Sequence, residues 1–132
     1  MCSSDLLLGF PPGYNADDYA RDFATFTDVV NRTFPGLQIV GPSAVEDATP
    51  LVIQAPLPAR DVLERTGSDL DVFSYHFYPK VSERCRSTEG PDKALTAEFL
   101  SRVEADKAFY EDLRDRYVPD APMWVTETAQ AA

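Results

Sequence analysis

Between Asn15 and Pro35 the apolar residues Tyr19, Phe23, Phe26, Val30 and Phe34 recur at spacings of three and four, which places them on one stripe of a helix. Asn15 suits the N-cap, Asp17 and Asp18 fall in the first turn where the helix dipole favours carboxylates, and Pro35-Gly36 supplies the stop. An amphipathic helix is therefore expected. Leu37-Gln38-Ile39-Val40 follows at once and breaks at Gly41-Pro42, the pattern of a short buried strand. Residues 44 to 59 have no clear period and contain Pro50, Pro56 and Pro58, so they read as a loop or irregular insertion, before a short helix from Ala59 to Leu70 that ends near Gly67.

Asp71 to Tyr78 is aromatic-rich and stops at Pro79, which marks a second strand. Alternation divides it into one face of Val72, Ser74, His76 and Tyr78 and another of Phe73, Tyr75 and Phe77. A polar, turn-rich stretch from Lys80 to Asp92 precedes a long helix from Pro91 or Asp92 to Tyr117, with a stripe of Leu95, Phe99, Val103, Tyr110, Leu113 and Tyr117. Ala121-Pro122-Met123-Trp124-Val125-Thr126-Glu127 is the third strand. Helix and strand alternate throughout, which predicts a parallel α/β architecture, because parallel neighbours need crossovers and helices usually provide them. Spacing does not separate an open doubly wound sheet from an arc of a closed barrel.

Composition narrows the partners. With 12 Lys and Arg against 22 Asp and Glu, the net charge of −10 lacks the basic footprint that neutralising phosphates requires, so no nucleic-acid partner is expected. A polyanionic substrate is also disfavoured at long range, although a local basic cleft would override that. Cys2 and Cys85 have no CxxC spacing and no neighbouring His, which indicates neither a metal site nor a disulfide scaffold. No apolar run approaches the roughly 20 residues of a membrane span, so no transmembrane segment is expected. No cofactor is indicated either: Gly-rich phosphate loops, GxSxG and HExxH are missing from the sequence.

The opening Met1-Cys2-Ser3-Ser4-Asp5-Leu6 connects to no downstream pattern and resembles a translated adapter, so residues 1–6 are expected to be a non-native leader and 7–132 an incomplete domain. The chain is expected to stop in mid-domain after Thr128-Ala129-Gln130-Ala131-Ala132.

In parallel architectures chemistry collects at the carboxyl ends of strands, here Gly41-Pro42-Ser43, His76-Phe77-Tyr78 and Glu127-Thr128. Glu127 follows the apolar Met123-Trp124-Val125 and is either a rim carboxylate with a catalytic role or an exposed strand-end charge. His76, the only histidine, shares a strand face with Tyr78, and the two groups can hydrogen-bond sugar hydroxyls or a carboxylate; the alternative for His76 is a satisfied core position. Tyr75 and Phe77 point the other way and are assigned to helix packing. Trp124 is out of phase with Glu127 and is assigned to buried packing, a sugar platform being the alternative.

Taken in order, Leu37-Gln38-Ile39-Val40-Gly41-Pro42, Asp71-Val72-Phe73-Ser74-Tyr75-His76-Phe77-Tyr78 and Trp124-Val125-Thr126-Glu127-Thr128-Ala129 resemble strands five, six and seven of retaining glycosidases with a (β/α)8 barrel, most closely the heparanase-like family 79 glycoside hydrolases. The resemblance covers Asp17 to Ala132. It implies a partial TIM barrel whose remaining strands are missing, a carbohydrate substrate such as a β-glucuronide, Glu127 as nucleophile, and His76 and Tyr78 beside the reacting sugar. The family's acid/base is a Glu preceded by Asn at the end of strand four, and no Asn-Glu pair occurs in this sequence. Glu46 and Glu83 are read as solvated charges rather than substitutes, so the chain alone is expected to be inactive. A non-catalytic carbohydrate-binding or scaffold α/β domain, and a small open α/β interaction module, are the other readings. Similar enzymes are usually secreted or lysosomal, but the residues themselves leave the compartment open.

Overall fold

The computed structural model describes residues 11–45, 57–80 and 90–129. In chain order the elements are α1 (Ala16–Thr33), β1 (Val40–Ala44), α2 (Ala59–Thr66), β2 (Val72–Phe77), α3 (Ala97–Tyr117) and β3 (Met123–Thr128), with 3-10 turns at Gly67–Asp69 and Pro91–Lys93. Both strand pairs are parallel and the sheet order is β1-β2-β3. The chain is thus a mixed α/β protein, with α2 as the crossover between β1 and β2 and α3 as the crossover between β2 and β3.

The expected capping of α1 is present in full. The Asn15 side chain accepts from the backbone N–H groups of Asp17 (2.8 Å) and Asp18 (3.3 Å), while the Asp18 carboxylate accepts from Asn15 N–H (3.3 Å). Gly36, at φ +92°, takes the chain out of the helix in the left-handed region that a side chain disfavours. The apolar stripe is only partly used. Ala16 and Thr27 are buried, and Phe23 and Val30 pack against the core, whereas Phe26 and Phe34 are exposed. At about 100° per residue Phe26 lies about 80° round the helix from Ala16, on the flank of the buried face. Phe34 sits at the C-cap, where the backbone has left helical geometry.

β1 begins where the sequence pattern expected a strand to end. Asp71 sets its start: the Asp71 carboxylate accepts from Ile39 N–H (2.7 Å), and the Ile39 carbonyl accepts from the N–H groups of Asp71 (2.9 Å) and Val72 (3.2 Å). The ladder then runs on through Gly41 and Pro42, opposite Phe73 and Ser74. A proline is tolerated because β1 is at the edge of the described sheet and needs a donor on one side only.

The long helix also starts later than its pattern suggests. Pro91–Lys93 forms a separate 3-10 turn, and the Thr96 hydroxyl caps α3 by accepting from Phe99 N–H (3.3 Å). Leu95 therefore lies outside the helix and is exposed, as is Val103, while Phe99, Tyr110 and Leu113 are buried as expected.

The core joins both crossovers to one face of the sheet. Ala59 and Leu63 of α2, Tyr110 and Leu113 of α3, and Phe73 and Tyr75 of β2 belong to one cluster with Ile39, Leu70, Val118 and Ala121. Tyr110 is its centre. Its ring stacks on Tyr75 at 4.4 Å and 29°, and tilts against Phe73 at 6.1 Å and 54°. Where α2 ends, Gly67 is so close to α3 that an added Cβ would lie 2.6 Å from the Tyr117 carbonyl oxygen. No helix among the described residues is long and apolar enough to cross a membrane.

Candidate functional site

Because the Phe73/Tyr75 face of β2 is taken by the helices, Val72, Ser74 and His76 face the other way. Val72 and Ser74 are fully buried there, whereas His76 is partly open at the carboxyl end of the strand. Pro79 terminates the strand just beyond Tyr78. Its carbonyl accepts from Arg102 Nη1 of α3 (2.7 Å), which ties down this end of the sheet.

The β2–β3 ladder contains one irregularity. Ser74 pairs with Trp124 and Tyr75 with Val125, but the next pair is His76 with Glu127. Thr126 is the extra residue, a β-bulge that re-aims the side chains beyond it. In a regular ladder Glu127 would pair with Phe77 and project toward the helices. The bulge instead sets it on the face of His76 and Tyr78.

Three expected site residues are thereby brought together. The Tyr78 hydroxyl donates to Glu127 Oε1. His76 Nδ1 lies 3.5 Å from Glu127 Oε2, a charge-pairing contact when the imidazole is protonated, and Nδ1 has no hydrogen-bond partner among the described residues. The two rings meet edge to face at 6.5 Å and 90°. Burial differs sharply within the group: the His76 side chain is 15% exposed and that of Glu127 45%. A carboxylate held by the Tyr78 hydroxyl, beside an imidazole and open to solvent, can accept a further donor or present an oxygen to an electrophile.

A second row on this face lies two residues deeper along β2, where Pro42, Ser74 and Trp124 are register partners across the three strands. Here β1 has its own bulge. Pro42 pairs with Ser74 and Ala44 with Tyr75, leaving Ser43 unpaired at φ +56°, in the left-handed region. Its backbone N–H donates to Ser74 Oγ (3.1 Å), and the two hydroxyls lie 3.1 Å apart, so the buried Ser74 side chain is satisfied.

Trp124 corrects the sequence reading. It is 47% exposed rather than buried, and it shares a face with Glu127 although the two are an odd three positions apart, because the bulge at Thr126 offsets the alternation. Ser43, which the sequence places at a strand end, and Ser74, which it places on the His76 face, shape this face as well, and so does Thr126, which the sequence does not mark for that role. It offers no local signal for a bulge at Thr126, while the Gly41-Pro42 break is a signal that β1 is irregular.

Glu46, Glu83, Cys2 and Cys85 lie outside the described residues. Among the described residues no group of three or more His, Cys, Asp or Glu side chains converges as a metal site would require. Compared with models of known protein families and with curated proteins, the chain finds no significant match.

Proposed function

We propose that this chain carries the nucleophile side of a retaining β-glycosidase site, of the heparanase-like or β-glucuronidase type, on an arc of a (β/α)8 barrel. The observation that carries the reading is Glu127 held by the Tyr78 hydroxyl and beside His76 at the carboxyl ends of adjacent parallel strands. Sequential strand order, with both crossover helices packed into one core cluster on one face, supports an arc that curls in one direction.

In this reading Glu127 attacks the anomeric carbon of a β-glycoside through one carboxylate oxygen. The bond to the leaving group breaks with its electron pair, and a glycosyl ester remains on the enzyme. Tyr78 fixes the rotation of the carboxylate, and His76 supplies a partner for its second oxygen or for a sugar hydroxyl. A retaining enzyme also needs an acid/base carboxyl about 5 to 5.5 Å away. With no Asn-Glu pair in the sequence, this chain alone is proposed to form the ester from activated donors without turning over natural substrates.

The test is covalent capture. A 2-deoxy-2-fluoro-β-glucuronyl fluoride needs no acid catalyst, because fluoride leaves unaided, and its adduct hydrolyses slowly. Intact-mass and peptide analysis should find one glycosyl group on the peptide containing Glu127 and none in folded Glu127→Gln. A folded wild-type chain that remains unlabelled, or labels equally in the variant, defeats the nucleophile assignment.

A second reading is favoured by one observation. The side-chain partners of Glu127 among the described residues are Tyr78 and His76, with no second carboxylate among them. A carbohydrate-binding face without turnover would have this composition, and it predicts sugar binding without capture.

A further inference from the structure

We infer that Trp124 is a stacking platform for a pyranose ring, placed one register row below the Glu127 carboxylate on the same face of the sheet. The inference rests on the carbohydrate reading above and adds to it the residue that would hold the sugar's apolar face.

Three observations carry it. The register pairs Trp124 with Ser74 and Glu127 with His76, so both side chains leave the sheet on the side opposite the helix-packed Phe73 and Tyr75. Trp124 is 47% exposed, and the face on which the register places it also carries the Glu127 carboxylate with the His76 imidazole and the Tyr78 phenol beside it. The two rows are two residues apart along β2, roughly 6.6 Å, which is comparable with the span of one hexopyranose.

The chemistry suits a sugar. A β-linked pyranose with equatorial substituents presents a face of C–H bonds, slightly positive, that complements the negative face of an indole ring. Its hydroxyls project from the rim, where Glu127, His76 and Tyr78 accept or donate hydrogen bonds. A flat aromatic surface beside a small set of polar groups fixes both the tilt and the rotation of such a ligand. In the same row as Trp124, the Ser74 hydroxyl is already satisfied by Ser43, so it makes no polar demand of its own that a sugar would need to meet.

Trp124 is the only tryptophan in the chain, which makes its fluorescence a direct readout. The full 132-residue chain would be titrated with methyl β-D-glucuronide and, separately, methyl β-D-glucopyranoside, following indole emission and, independently, saturation transfer to the sugar protons. Stacking should move the emission to shorter wavelength over the same concentration range in which saturation transfer reports binding. Trp124→Ala should weaken binding about tenfold and Trp124→Phe, which keeps an aromatic face, by no more than about threefold. Circular dichroism would establish that each variant is folded, and Trp124→Phe keeps the test decisive if Trp124→Ala is not. Sugar binding with unmoved emission, and with unchanged affinity in Trp124→Phe and folded Trp124→Ala, overturns the platform and leaves the carbohydrate reading standing. Failure of either sugar to bind the folded chain overturns the platform, and a simultaneous lack of covalent capture at Glu127 removes the glycosidase reading as well.

Discussion

Glu127 pairs with His76 because β3 holds one residue more than β2 between the preceding pair and theirs, and Thr126 is that residue. The Tyr78 hydroxyl then donates to Glu127 Oε1 at the same strand end. Removing that donor leaves His76 as the one side-chain partner of the carboxylate among the described residues. Hydrogen bonds to charged groups contribute about 1.5 to 3 kcal/mol when shielded, and less for a half-exposed group such as Glu127. Tyr78→Phe should therefore slow covalent capture by about tenfold, with a change in unfolding free energy within about 0.5 kcal/mol. Capture kinetics followed by intact mass, alongside urea unfolding, would check both halves; an unchanged rate would show that the phenol does not orient Glu127.

Tyr110 closes the core against both Tyr75 and Phe73 and is fully buried. Its hydroxyl also reaches the Ala44 carbonyl at 3.4 Å, a long contact just beyond the β1 bulge. Truncation to alanine should cost about 3 to 5 kcal/mol, the usual range for a buried aromatic. Tyr110→Phe keeps the ring and should cost about 1 kcal/mol or less. Denaturant unfolding of the pair separates ring packing from hydroxyl bonding.

Gly67 has an ordinary helical backbone, φ −58° and ψ −35°, so its need for glycine is steric. A methyl group there would press on the Tyr117 carbonyl at 2.6 Å, which is backbone and cannot swing aside. Gly67→Ala is expected to destabilise by about 1 to 3 kcal/mol, in spite of alanine's better helix propensity. A rise in melting temperature would mean that the α2–α3 junction yields more readily than the packing indicates.

Strongly alkaline pH should destabilise the fold through the buried Tyr75 phenol. Burial raises the Tyr75 phenol above its ordinary value of 10.0, with further charges from Lys107, Asp106 and Glu111 acting on it in opposing senses. The unfolded chain then loses this proton at lower pH than the folded one. Stability from Tyr75 is complete below about pH 10 and declines as pH rises through the folded-state value. Tyr75→Phe should flatten the fall in unfolding free energy above about pH 10. An identical slope in both proteins would assign the alkaline loss elsewhere.

Several of these features are legible in the amino-acid order. The Asn15 cap, the aromatic β2 and the buried Phe99, Tyr110 and Leu113 stem from local chemistry and periodicity, and each is present. The sequence also singles out His76, Tyr78 and Glu127 as candidates, and the structure brings them into contact. The features it does not convey depend on neighbours remote in sequence. β1 starts at Val40 because Asp71 ties down Ile39 from 32 residues away. Trp124 is misassigned when alternation is counted through Thr126 as though the ladder were regular. Phe26 is over-read because a helical stripe shows which residues share a side, while the curvature of the partner surface decides how wide a strip is covered.

The paired irregularities at Ser43 and Thr126 have a consequence for parity. Either side of β2, the inner and outer halves of the neighbouring strand obey opposite odd-even rules, switching at the level of Tyr75. Removing Thr126 would restore one rule along all of β3 and still leave the Glu127 carboxylate opposite His76, whereas a residue added after Thr126 would have to be absorbed by a second bulge or would turn Glu127 toward the helices. Length changes in this strand are therefore asymmetric, with a one-residue loss tolerated by the register and a one-residue gain opposed by it.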